Sequence, residues 1–519
     1  MKKNIIWSLA LGALLFTSCD SYLDKLPDDR TELNSREKVR DLLVSAYPSN
    51  SNVMILEYSS DNVLDNGPQF SAQVSQEELY RFKDVSTEGN DDPRNVWQGF
   101  YFAVATANHA LEAIDKLEAT ENLNAEKGEA LLCRAYAMFQ LANTFCMAWN
   151  PEKKDDYLGL PYPTKPGTKL DETYTRGTLG ELYEKINNDI ETGLPLIDDN
   201  NYKSPKFHFN SKAAYAFAAR FNLYYMNYDK AIEYATKAIG EDPSGVLRSY
   251  KDLVSLGAID FSNRYILSSE PANLLLVTAY STAGRMLTYS GMRRFAHSAV
   301  VASYETYWAF GPWGGGSTNN ALYYKSKMYG SEYQVFFPKL LEQFEFTDKL
   351  AQTGYAHIVD PVFTTDETLL VRAEAYAMKN DSVSALKDMN YWVASHCDNY
   401  AAQYKVLTMS NLNTFFSELD YAPVVPQTRL ERSIKKKLNP QGFTVEAGNQ
   451  ETLIQMILHM RRLETVFQGL RFIDLKRYGI SYSHPVTGED PIVFEPGDLR
   501  GAIQLPSAVV NAGLQANPR

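Results

Sequence analysis

At 519 residues and 45% hydrophobic content, the chain carries enough apolar material for one large or two medium packed domains. Its formal net charge is −12, and its one compact basic run is Lys435-Lys436-Lys437, read as a solvated loop. That balance excludes the basic field of a nucleic-acid binder.

The chain opens with Lys2 and Lys3, an apolar run from Ile5 to Phe16, and Thr17-Ser18 before Cys19. A basic start, a short apolar core and small residues ahead of a cysteine describe a secretory signal over residues 1–18. The run is short of the roughly 20 residues a span needs, and no later stretch reaches that length. The Cys19 context resembles a bacterial lipobox, in which the cysteine is diacylated and holds the protein on a membrane surface. The alternative is an ordinary signal with an incidental cysteine. Residues 19–95 then form an N-terminal region. In it, Ser60-Asp61-Asn62 sits in polar, loop-like sequence, and Asp61 and Asn62 serve either a turn or a ligand.

From 96 to 243 the period becomes helical. Val96–Leu117 pairs with Ala125–Trp149, and Thr178–Ile197 partners a unit running from Asn210 to Pro243. That unit has tetratricopeptide-like spacing: Asn210 or Ser211 caps it, Ala218 and Ala219 allow close approach, and Ala231, Ala235 and Ala238 line its second helix. A second copy spans about Thr365 to His396, within residues 362–397. Such pairs cannot bury their apolar faces alone and stack into one scaffold. Cys133 and Cys146 share a helix, roughly 20 Å apart, so they cannot form a disulfide; at most one bridge to Cys397 can form, and three core thiols are expected.

Between 244 and 361 the helical period fades and aromatics crowd in, around Gly311-Pro312-Trp313-Gly314-Gly315-Gly316. A Gly-rich loop keeps its backbone solvated, which places Trp313 near the surface. Exposed Trp and Tyr faces suit the C–H face of a sugar ring, with nearby amides bonding its hydroxyls. Trp308, Trp313, Tyr307, Tyr289 and Asn319 are the candidates; the competing role of each aromatic is to pack the loops onto the scaffold. Trp97, with Asp61 and Asn62, offers a second wall, its alternative being packing at a helix start.

No His-Glu-x-x-His, Cys-x-x-Cys, Gly-x-Ser-x-Gly or phosphate-loop motif occurs, and the seven His lack metal-ligand spacing. No catalytic residue, metal or cofactor is expected. The final region, 398–519, contains Leu453, Ile457, Met460, Leu463 and Phe467 at helical spacing. Gly469 then stops that helix, and a short second helix turns Phe472, Ile473 and Leu475 inward. Arg471, Asp474 and Arg477 are spaced for i,i+3 pairing, and Glu464 can reach Arg471. A partly buried ion-pair network locking a helical corner is expected.

Arg461, Arg462, Glu464, Gly469, Arg471, Asp474, Leu475, Arg477 and Gly479 fall on the C-terminal signature of the SusD/RagB family, roughly ERRxELxxEGxRxxDLxRxG, which this segment resembles. Met460, Thr465 and Gln468 depart from it. The sequence Tyr22–Pro27 resembles the family's "LDxxP" tether, and Gln504–Pro518 resembles its ending. The resemblance implies a mostly α fold: tetratricopeptide-like pairs packed against a loop-rich second region with little β. It also implies a nutrient-capturing lipoprotein, anchored through Cys19 to the outer surface of the outer membrane. Such proteins deliver oligosaccharide to a TonB-dependent, SusC-like transporter and are not enzymes. The alternatives are a peptide-binding RagB-like protein, a structural transporter subunit without its own ligand, and a surface glycoside hydrolase.

Overall fold

A computed structural model of the chain describes residues 33–118, 121–167, 174–288, 291–327, 329–398 and 406–519. The signal segment, Cys19, the tether and Tyr289 lie outside these residues.

The scaffold is helical. Helix α1 (Pro93–Leu117) starts on a proline, whose fixed φ and missing N–H suit a first turn. It packs along α2 (Asn124–Phe145), and α2 packs on α3 (Leu179–Gly193). Thr178 opens α3 with a capping box, exchanging hydrogen bonds with Glu181. Helices α4 (Ser211–Tyr224) and α5 (Tyr228–Ile239) form the next pair, capped by Asn210, whose side chain accepts from the Ala213 amide. Ala218, Ala219, Ala231, Ala235 and Ala238 are all buried, and these small side chains let the helices approach closely. Cys133, Cys146 and Cys397 are free and buried, as expected.

The expected loop-rich region contains an antiparallel sheet. Strand β1 (Asn273–Tyr280) pairs with β3 (Thr353–Thr364), which pairs with β2 (Gln343–Asp348). Thr278 lies opposite Val359, and Glu345 opposite Tyr355. Leu274 to Val277 is a short run buried on both faces, a pattern that periodicity cannot tell from buried helix. Strand β3 leads directly into α6 (Thr365–Met378), capped by Thr364, and α6 pairs with α7 (Ser382–His396). Helix α6 is central: α4, α5, α7 and α9 (Asn449–Thr465) all pack on it. The fold is thus mostly α, with helical pairs around one core and limited strand.

Buried arginine forks recur where helices meet. Arg134 of α2 holds Asp189 of α3 at 2.6 and 2.7 Å. Arg220 of α4 holds Glu367 of α6 at 3.1 and 3.0 Å. Arg372 of α6 holds Asp388 of α7 at 2.8 Å through both nitrogens. A planar guanidinium matches a carboxylate in two bonds, fixing the orientation of each contact as well as its charge.

Helix α9 ends at Thr465, four residues before Gly469. The chain reverses through Phe467, at φ 66°, and Gly469 instead opens α10 (Leu470–Arg477) at φ 79°. A Cβ at Gly469 would lie 3.1 Å from Leu56 Cβ, so both backbone angle and space favour glycine there.

Candidate functional site

The corner between α9 and α10 is a buried ion network. Arg461 contacts Asp474 at 3.0 Å, Glu367 at 3.3 Å and Glu374 at 3.4 Å. Arg477 holds Glu374 at 2.7 Å and Asp474 at 3.1 Å. Arg471 pairs with Asp61 through two bonds of 2.8 Å, where Glu464 was the expected partner. Glu464 instead accepts from Trp392 Nε1 at 3.1 Å and meets His396 Nε2 at 2.8 Å. Arg462 donates to Asn62 Oδ1, to the Asp61 carbonyl and to Glu305, each at 2.9 Å. Burial raises the Asp61 carboxyl, but Arg462 and Arg471 outweigh it and hold the group well below the usual carboxylate range. Glu305 is likewise held down to about 2, burial being outweighed by Lys436, Arg462 and Arg432.

Asp61 and Asn62 were candidates for a ligand wall. Both are buried inside this network with their polar atoms engaged, so their structural role is to lock the N-terminal loop onto α9 and α10. The Lys435–Lys437 run is not a solvated loop either. Lys436 is buried 3.3 Å from Glu305, and Lys435 donates to the Phe416 and Leu419 carbonyls. Only Lys437 of the three is exposed.

The aromatic loop divides in two. Tyr307 and Trp313 are buried, at 0% and 1% exposure, so both candidates pack the loop onto the scaffold, and the expected place of Trp313 near the surface is corrected. Trp313 stacks on His459 at 5.8 Å and lies 5.7 Å from Trp392; Tyr307 packs on Tyr324 and Phe337. The glycines around Trp313 form a tight reversal in which Gly311 and Gly314 exchange backbone hydrogen bonds. That reversal turns the indole inward. Trp308 is half-buried and Phe310 is 67% exposed, and both line an open cleft of about 630 Å³. This volume falls in the range of small-molecule sites, roughly 300–1,000 Å³.

One side of the cleft is Ser303, Tyr304, Trp308, Phe310, Gly315 and Gly316. The Trp308 amide donates to the Ala302 carbonyl, and its own carbonyl accepts from Gly316, so this turn is held by backbone bonds. A Cβ at Gly315 would come within 2.9 Å of Phe310, and glycine here keeps the ring upright against the turn. Asn319 is exposed and pairs with Gly315 in the same hairpin, at the edge of the cleft. The other side follows α8 (Met409–Ser417) and comprises Glu418 to Tyr421, Pro423 and Leu430 to Ile434. None of this second side was among the sequence candidates. Its only sequence signal was the acid- and aromatic-bearing Glu418-Leu419-Asp420-Tyr421 ahead of a proline. Arg432 ties this side to the ion network, donating to Glu305 at 2.8 Å, and Glu305 follows directly on the Ser303-Tyr304 side.

Trp97 lies elsewhere. It is buried to 9% exposure against Tyr101 and Phe145 and borders a separate groove of about 500 Å³ with His109, Pro163, Tyr174 and Leu514. Asp366, His396 and Glu464 could by geometry hold a metal ion, but they are fully buried. His396 is bonded to Glu464, Glu464 also accepts from Trp392, and Asp366 accepts from the Arg248 amide. Two carboxyls are raised into general-acid range. Asp360 and Asp366 reach about 6, chiefly through burial, and both belong to the scaffold.

Residues 21–223 match a family model described as "Starch-binding associating with outer membrane", of the SusD-like type. No curated protein matches the chain. Solved structures match nearly throughout. A SusD superfamily protein from Bacteroides thetaiotaomicron is 17% identical with a TM-score of 0.64, over 93% of this chain and 99% of that one. One from Bacteroides vulgatus is 17% identical at 0.63, over 92% and 97%. A SusD-like carbohydrate binding protein from Bacteroides vulgatus is 16% identical at 0.62, over 92% and 96%. Residues 21–223 thus match the SusD-like family model, and the chain shares its fold along nearly its whole length with these SusD superfamily structures.

Proposed function

We propose that the protein is a cell-surface binding protein that captures oligosaccharide in the cleft between Trp308 and Tyr421. The observation that carries this is the pairing of exposed rings with free polar groups in one open cavity. Phe310 is 67% and Tyr421 45% exposed, and Trp308 stands half-buried beside them. Aromatic faces stack on pyranose C–H faces, and Glu418, Asp420, Glu431 and Ser303 lie in reach to bond hydroxyls. The carbohydrate-binding relative and the starch-binding family description support the same ligand class.

Capture needs no covalent step. The raised carboxyls, Asp360 and Asp366, are buried and do not line the cleft. Delivery to a TonB-dependent, SusC-like transporter, with anchoring through Cys19 to the outer membrane, completes the proposal. Its support is the family description and the lipobox-like sequence. Among the described residues no helix is long and apolar enough to cross a membrane.

A glycan and peptide array probed with protein starting at Asp20, beside Trp308→Ala, tests the proposal. Binding to one glycan class that Trp308→Ala loses is the expected result. Binding only to peptides, or to no probe, would sink it in favour of the peptide-binding or structural-subunit alternatives.

A further inference from the structure

The charge of the cleft narrows the ligand class further, given the cleft as the capture site. Three carboxylates line it, on Glu418, Asp420 and Glu431, and all three residues are exposed. None of them forms an ion pair among the described residues. Glu431 accepts only from the Gln427 amide at 2.8 Å and, at 3.4 Å, from the Thr428 hydroxyl. Among the described residues the single cation lining the cleft is Arg432, which pairs with Glu305 through Nη1 at 2.8 Å. Lys435 sits 4.4 Å over the Tyr421 ring and donates to two carbonyls, and Arg429, which precedes the cleft-lining Leu430, does not itself line the cleft. Glu451, hydrogen-bonded to the Tyr421 hydroxyl, offsets Lys435.

We propose that the cleft selects oligosaccharides by charge, accepting neutral and amine-bearing chains and rejecting acidic ones. An incoming uronate, sulfate or sialate would meet three carboxylates without ion partners among the described residues, against one lining cation already paired with Glu305. A protonated sugar amine would gain charge-assisted bonds to those carboxylates and could lie over the exposed rings. These carboxylates are solvent-facing, so the preference is moderate and weakens with salt.

The test compares three oligomers of matched length at about pH 6, where a sugar amine is protonated. They are a glucosamine oligomer, its N-acetylated counterpart and an oligogalacturonide. Calorimetry at about 0.02 M and about 0.5 M salt reads the affinities. The expected order is amine-bearing over neutral over acidic, with about fivefold per step at low salt and little difference at high salt. The combined variant Glu418→Gln, Asp420→Asn, Glu431→Gln should flatten that order, bringing the three affinities together whatever the change in their common level. The salt series on the wild-type protein reads the same charge effect without any variant.

An acidic oligomer bound as tightly as the neutral one, or an order that survives in the variant, would overturn the charge inference and leave oligosaccharide capture standing. Binding of a basic peptide in preference to all three sugars would also overturn it. Failure of every sugar would remove the capture reading itself, and this inference with it.

Discussion

The corner between α9 and α10 and the cleft joined to it draw on the same residue types and use them in opposite ways. In the corner, Arg461, Arg462, Arg471 and Arg477 are buried and every carboxylate facing them is held in place. In the cleft, Glu418, Asp420 and Glu431 face solvent with no ion partner among the described residues. Trp313 is sealed between His459 and Trp392, whereas Trp308, five residues earlier, reaches the open wall. Whether a polar or aromatic group is available to a ligand is therefore set by what the tertiary structure has already attached to it. The two regions meet at Glu305, which holds Arg462 of the corner and Arg432 of the cleft wall. The corner thus braces the cleft.

Breaking the corner should cost the most. Arg461→Ala leaves Asp474, Glu367 and Glu374 buried with one cation fewer, and denaturant unfolding should show a loss of about 3–5 kcal/mol. Trp313→Ala opens a cavity in the core and should cost about 3 kcal/mol or more, without changing which glycan class the surviving fold binds. Retained stability in either variant would mean that the residue is not part of the scaffold.

Acid should weaken the corner. Glu305 and Glu464 are held down to about 2, burial being outweighed by Lys436, Arg462 and Arg432 at Glu305 and first by the His396 hydrogen bond at Glu464. Their contribution is present above the unfolded value of about 4.3 and is lost as pH falls through the folded value. Unfolding at fixed denaturant should therefore steepen below about pH 4.

Asp360 works in the reverse direction. Burial raises it to about 6, so the folded state favours its protonated form. The stability tied to that proton is present below about 3.9 and is lost as pH rises through about 6. Asp360→Asn should accordingly stabilise the protein by about 1–3 kcal/mol at neutral pH and by little at pH about 4. A destabilised Asp360→Asn at neutral pH would show that the carboxylate is needed there.

Much of the scaffold was legible in the sequence because it depends on local spacing. Ala218, Ala231 and Ala238 mark helix contacts by size and period, and Asn210 caps where its position suggests. The network in the corner was legible as charges among apolar residues, but its partners were not. Asp61 lies some 400 positions from Arg471 along the chain, and no local pattern links them. Trp313 misled for a related reason. Glycines signal a reversal but not the face to which it turns the indole, which His459 and Trp392 decide. The Glu418–Tyr421 wall lay outside the aromatic-rich stretch and is brought to Trp308 only by packing, with Phe310 stacked on Phe415 at 6.4 Å. The sheet was missed because Leu274–Val277 is apolar on both faces.

The central claim is that the ligand site is the Trp308 cleft and not the Trp97 groove. Titration of the array-identified glycan into wild-type protein, Trp308→Ala and Trp97→Ala addresses it most directly, each variant first checked for a native melting transition. At least about tenfold weaker binding is expected in Trp308→Ala, close to 1.4 kcal/mol, with near wild-type affinity in Trp97→Ala. Full affinity in Trp308→Ala with loss in Trp97→Ala would contradict it and move the site to the groove between α1 and the C-terminal residues.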